Sequence, residues 1–152
     1  MPDQTTYGGR PQIIRPSVAA VIFDAAGRVL LQQRDDNGYW GLPGGGVDLG
    51  ESVAAAVVRE VREETGYTVL VVRLVGVYSD PAHNVAHYPD GNIVQYVSCL
   101  FECRIVGGAA TLCAETLALE WFAPDALPTP FVPNHRPRLD DARAGQVAAF
   151  YR

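Results

Sequence analysis

The sequence predicts a domain of the α/β class, α+β type, in which helices pack against a mixed β-sheet. Its 152 residues are 48% apolar, enough for a core of their own. Several β-rich runs are separated by turns containing Gly and Asn. One strongly amphipathic helix interrupts them, and a weaker helical pattern closes the chain.

In chain order, "QIIRPSVAAVIFD" and "RVLLQQR" read as two strands joined by a Gly-containing turn at "AAGR". Residues 35–51 are turn-rich, because Asn37-Gly38 and the run Gly44, Gly45, Gly46 forbid regular structure for long. From Ser52 to about Thr65 the period changes. Ala54, Val57, Val58 and Val61 fall at i, i+3, i+4 and i+7, and Gly66 stands where a helix C-cap is expected. Two further strands, "TVLVVRLVGVYS" and "IVQYVSCLFECRIV", flank the loop "DPAHNVAHYPDGN". Gly107-Gly108 makes a turn, and the first half of "LALEWFAPDAL" continues as a strand. The tail, "RLDDARAGQVAAF" over residues 138–150, is expected to be a second helix despite Gly145.

A formal charge of −5 and the absence of a Lys/Arg-rich run argue against a nucleic-acid duplex as partner. The start "MPDQTTYGGRPQ" lacks the apolar core of a signal peptide, and runs such as "VAAVIF" and "VAAAVV" are too short to span a bilayer. A cytoplasmic protein without a membrane partner is expected. Cys99, Cys103 and Cys113, an odd count without a C-x-x-C pair, suit a reducing compartment and read as small buried apolar residues. His83, His87 and His135 lack the tight grouping of a structural zinc site.

The chemistry concentrates in "LPGGGVDLGESVAAAVVREVREETGY". On a helical wheel with Glu60 at zero, Glu63 falls near about −60° and Glu64 near about +40°, so three carboxylates share one side beside the valine stripe. They cluster at the helix C-terminus, where the macrodipole disfavours negative charge by about 0.3 to 1 kcal/mol each. Hard divalent cations with oxygen ligands would reverse that penalty. The glycine run lets backbone approach a ligand closely. It is not a P-loop, since no Gly-Lys-Ser/Thr follows.

Gly45, Glu51 and then Arg59-Glu60-Val61-Arg62-Glu63-Glu64-Thr65-Gly66-Tyr67 match the pattern G-x5-E-x7-R-E-U-x-E-E-x-G-U, the Nudix box, over residues 45–67. Tyr67 departs softly, standing where a bulky aliphatic is commoner. The upstream "YWGLPGG" also resembles the Nudix lead-in. The resemblance implies a Nudix-like α/β/α sandwich with a mixed central sheet, spanning 1–152 as one domain. It implies hydrolysis of a nucleoside diphosphate linked to another moiety, of ADP-sugar or nucleoside triphosphate type, by water attack at phosphorus with Mg²⁺ or Mn²⁺. Glu60, Glu63 and Glu64 match the metal-binding glutamates, Arg59 and Glu51 a bracing pair, and Gly45 a backbone that faces the metals. The resemblance also points to a base outside the box, for which Glu115 is the candidate. For the small-molecule nucleotide, the candidate contacts are Arg34, Tyr39 and Trp40 before the box and Tyr78, His83, His87, Tyr88, Asp90 and Gln95 around the following loop. Pro81 lies near, but not at, the position of a proline carried by some ADP-ribose-cleaving members. A non-catalytic Nudix-fold nucleotide sensor is the alternative, disfavoured because every box glutamate is present. A homodimer formed through the N-terminal segment or the tail helix is a further expectation.

Overall fold

The computed structural model describes residues 10–152. Residues 1–9, on which the expected N-terminal dimer contact falls, lie outside the described part. A mixed sheet runs in the order β4-β1-β7-β5-β9, formed by Gly44–Gly46, Ile13–Ile22, Ile93–Gly108, Tyr67–Tyr78 and Phe150–Tyr151, with β6 (Val85–His87) also paired to β7. A smaller antiparallel sheet joins β3 (Trp40–Gly41), β2 (Val29–Arg34) and β8 (Thr116–Phe122).

β1 explains the layering. It pairs parallel to β7 and antiparallel to β4, and its second half is apolar at every position. Strand alternation then supplies two faces at once. Val18, Ala20 and Ile22 meet Ala56, Val57 and Val61 of helix α1 (Val53–Thr65), together with Val69, Phe101 and Cys103. Ala19 and Val21 join Leu31, Trp40, Val75, Leu100 and, from helix α2 (His135–Ala144), Leu139 and Ala142. One helix therefore covers each side, giving the expected α/β/α order.

The ends of α1 are fixed as the sequence suggests. Ser52 Oγ accepts the N–H of Ala55 at 3.0 Å, and Gly66 takes the left-handed C-cap at φ 78°, donating to the carbonyl of Arg62.

Other elements differ from expectation. The tail helix begins at His135 and stops at Ala144, because Gly145 adopts a left-handed cap at φ 64°. Pro137 is tolerated since it falls in the first turn, where its missing N–H has no intrahelical partner to lose. Phe150, expected to be the last helical residue, instead forms β9 with Tyr151, parallel to Gly76–Val77. The glycine run, read as turn, forms strand β4 against β1. A Cβ on Gly44 would lie 2.2 Å from the Val18 carbonyl oxygen, so only glycine permits this approach. The loop over residues 80–92 contains β6.

Candidate active site

Glycine strand and acidic helix face one another. The carboxylate of Glu60 packs onto the Cα of Gly45, so close that a Cβ there would sit 2.5–2.7 Å from its atoms. Glu64 turns inward and is 8% exposed. Its Oε2 accepts the N–H of Gly44 at 2.8 Å and Gln32 Nε2 at 2.9 Å, while Gln32 Oε1 accepts the hydroxyl of Thr116 at 3.0 Å. This chain ties α1 to β4, β2 and β8. Glu63, at 59% side-chain exposure, stays at the surface.

Arg59 organises the outer acids. Its Nε and Nη2 grip both oxygens of Glu51 at 2.8 and 2.7 Å, and Nη2 also donates to the Gly46 carbonyl. Nη1 donates to Glu60 Oε1 at 2.9 Å and to Glu63 Oε2 at 3.2 Å. The guanidinium holds Glu51 down at about 2. Glu60 is raised by burial and by the charges of Glu63 and Asp48, against the pull of Arg59. Burial, reinforced by Glu60, pushes Glu64 up to about 7 in spite of the Gly44 N–H.

As they stand, no three His, Cys, Asp or Glu side chains among the described residues converge into a cage for an ion. Arg59 draws Glu60 and Glu63 to itself. The donor set nevertheless fits a hard divalent cation, since it is all oxygen, and three crowded carboxylates, two of them raised, would be relieved by positive charge.

Beyond the glycines opens a cavity of about 790 Å³. β1, β2, the Gly44–Gly46 strand, the segment from Asn84 to Pro89, Tyr96, Ser98 and the start of α2 form its walls. Arg34 and Tyr88 stand on this wall, as does His87. Arg34 pairs with Asp36 at 2.9 Å, and Tyr88 shares a hydroxyl–hydroxyl hydrogen bond with Tyr96.

Other expected contacts lie elsewhere. Trp40 is a core residue, packed edge-on against Phe122. Tyr78 is buried with its hydroxyl on Asp141 at 2.9 Å. Neither forms part of the cavity wall, and the two are corrected from substrate contacts to framework. Gln95, on β7, braces the loop that follows β5 by donating to the Ser79 carbonyl, and His83 is exposed, its carbonyl accepting from Asn134. Glu115 is exposed just before β8; its backbone carbonyl accepts from Asp35, and its charge acts on Arg34.

Several wall residues escaped the sequence reading. Gln32 carried a signal, a polar residue at the end of the apolar run "VLL" with both sides of its strand covered. Asn84 from a loop and Ser98 from β7 come together with His135 and Arg138 of α2, and no local spacing announces the meeting.

The comparisons with known proteins agree with this geometry. A NUDIX domain family model matches residues 13–142. A MutT-like protein of Streptomyces ambofaciens is 36% identical over 135 residues, covering 89% of this chain and 80% of the relative. A putative 8-oxo-dGTP diphosphatase of Bacillus subtilis is 36% identical over 126 residues, covering 82% and 77%. The crystal structure of an ADP-ribose pyrophosphatase from Streptococcus suis superposes with a TM-score of 0.67 at 29% identity, covering 91% of this chain and 97% of that one. With Glu60 and Glu64 of the box packed on the glycine strand and the family model spanning most of its length, the chain belongs to the Nudix family and is a Nudix hydrolase, an enzyme acting on phosphoric anhydride bonds.

Proposed function

We propose that the protein hydrolyses the diphosphate linkage of a small nucleotide bound in the cavity, by attack of water at phosphorus, with Mg²⁺ or Mn²⁺ as the divalent ion. One observation carries the reading: Glu60 and Glu64 are locked against Gly45 and Gly44 at one end of a cavity large enough for a nucleotide. The metal, when bound, supplies positive charge against the diphosphate and lowers the pKa of water.

The chain's own residues divide the remaining work. Glu60, Glu63 and Glu64, with the Gly45 backbone, form the proposed metal-holding set. Gly44 and Gln32 orient Glu64 so that one oxygen is occupied and the other is left for the ligand side. Arg59 and Glu51 brace the loop and keep Glu60 aligned between turnovers. Arg34 and Tyr88 contact the nucleotide from the wall. Glu115, beside Arg34, is proposed as the base that takes the proton from the attacking water. Three unpaired cysteines support a reducing, cytoplasmic setting.

The test is a panel of nucleoside triphosphates, ADP-ribose, NADH and dinucleoside polyphosphates with Mg²⁺ or Mn²⁺, read as nucleoside monophosphate and phosphate or pyrophosphate released. Metal-dependent product from at least one compound is expected. Binding without product across the panel overturns the hydrolytic reading in favour of a nucleotide sensor.

A further inference from the structure

Arg34 and Arg138 both line the cavity, and their circumstances differ. Arg34 is neutralised by Asp36. Arg138 is 5% exposed and makes no ion pair among the described residues. Its Nη1 donates to Ser98 Oγ at 3.2 Å, its Nη2 to Asn84 Oδ1 at 2.9 Å, and its guanidinium carbon lies 5.0 Å from the centre of the Tyr78 ring. Asp141, three residues along the same helix, is committed elsewhere. It accepts both Nε and Nη2 of Arg152, at 2.8 and 2.9 Å, and the Tyr78 hydroxyl. A desolvated guanidinium is thus held by neutral partners with donors to spare, and burial draws it down to about 10.

One helical turn away, Asn134 also lines the cavity, and its Oδ1 is buried with no hydrogen-bond partner. Its Nδ2 is used on the His83 carbonyl at 3.2 Å, so the amide is anchored with its oxygen left over. Buried acceptors in this state call for a donor from a ligand or water. Next to it, His135 Nδ1 accepts the Leu42 N–H at 3.0 Å, which puts the neutral ring's proton on Nε2. The end of the cavity formed by α2 therefore offers charged and neutral donors beside an orphaned acceptor. That set complements a ring carbonyl adjacent to a ring N–H, the edge of a 6-oxopurine or a 4-oxopyrimidine. Adenine and cytosine present an amino group where the carbonyl would be, which sets donor against donor.

We propose that Arg138 is a specificity-determining residue, whose guanidinium receives the ring carbonyl oxygen of an oxo-type nucleobase while Asn134 Oδ1 accepts from the neighbouring ring N–H, so that oxo bases are selected over amino bases. The inference rests on the reading of the cavity as a nucleotide site. It also separates the activities named for two of the similar proteins, favouring an oxopurine over an adenine nucleotide.

The test compares ITP with ATP, which differ in oxygen against amino at position 6 together with the ring N–H. In wild-type enzyme kcat/KM should favour ITP by roughly 10- to 100-fold. Arg138→Met should erase most of that preference by raising KM for ITP, with ATP changed only a few-fold and kcat for either largely kept. Asn134→Leu, which removes the acceptor, should also lower kcat/KM for ITP by about tenfold while ATP changes only a few-fold. Equal turnover of the two nucleotides by wild type overturns the inference, as does an Arg138→Met variant that folds and lowers both equally. The wild-type ratio decides even if that variant fails to fold. Absence of turnover and binding for every nucleotide refutes the hydrolase reading; turnover without the ITP preference refutes only the role of Arg138.

Discussion

Gly44 donates its backbone N–H to Oε2 of Glu64 at 2.8 Å, tying the first glycine of β4 to the last acid of α1. With Gln32 on the same oxygen, the carboxyl is fixed and nearly dry, and it rises from 4.5 in the unfolded chain to about 7 in the fold. Between those values the folded protein holds a proton that the unfolded chain releases. This contribution to stability is full below the unfolded value and is lost as pH rises through about 7. Buried His135, held neutral in the fold, acts with the opposite sign below about 6.5. The Glu64 contribution is therefore read as the difference between wild type and Glu64→Gln. In metal-free urea titrations that difference should change on the order of a few kcal/mol between pH 5 and pH 8. Glu51 acts with the opposite sign, but its window, between about 2 and 4.5, lies below that range. Glu64→Gln should escape the loss as pH rises, and a divalent ion should stabilise wild type more at pH 8 than at pH 5. Identical curves for wild type and variant would refute the assignment.

Neighbouring glycines should respond differently to the same methyl group. In Gly45→Ala the new Cβ meets the Glu60 carboxylate, the far end of a side chain that can swing away. The fold should survive with Tm within a few degrees, while displacement of Glu60 lowers kcat by about 10- to 100-fold. In Gly44→Ala the Cβ meets the backbone of Val18 and Ala19, which cannot yield without parting β4 from β1. That variant should lose about 3 kcal/mol or more of stability. A Gly45→Ala enzyme of full activity would show that the contact with Glu60 has no catalytic consequence.

Arg59 stands in competition with any cation, because its Nη1 holds Glu60 and Glu63 together. Glu51 restrains that competition by occupying Nε and Nη2. Glu51→Gln, which removes the strongest partner of Arg59, should leave the guanidinium more firmly on Glu60 and Glu63 and weaken Mn²⁺ uptake by about tenfold, measured by electron paramagnetic resonance. Loss of one negative charge would itself weaken uptake, so the same change is made in an Arg59→Met background. There the effect should shrink. An equal effect in both backgrounds would assign it to charge alone.

The parts of the site that the sequence disclosed are those built from neighbours along one element. The valine stripe at helical spacing, Ser52 before it and Gly66 after it define α1, and the wheel already sets Glu64 close to Val57 and Val61, where burial follows. The glycine run was legible as an unusual backbone but not as a strand, since its pairing partner Val18 lies far upstream and is reached only once β1 is in place. The far wall was illegible for the same reason carried further. Arg138, Asn84 and Ser98 meet across separations of 40 and 54 residues, and nothing in "NHRPRLDD" marks the arginine as buried. Trp40 and Tyr78 misled in the opposite sense. Aromatics beside a ligand loop resemble stacking platforms, yet each completes the core on the α2 side of the sheet.

Glu115 is the proposed base that the fold leaves most open to test. It precedes β8 at an exposed position, and its backbone carbonyl, not its carboxylate, makes the bond to Asp35 that fixes the segment. Glu115→Gln should therefore leave the melting temperature unchanged, since no buried contact is removed. If the carboxylate takes the proton from the attacking water, kcat should fall by about 100-fold or more with little change in KM. Arg34, whose charge is coupled to both Glu115 and Glu64, gives an internal control. Arg34→Met should raise KM by removing a cationic wall of the cavity while leaving the pH dependence of kcat set by the base. Near-normal turnover of Glu115→Gln would remove this residue from the mechanism and leave the base to be sought among the acids of α1.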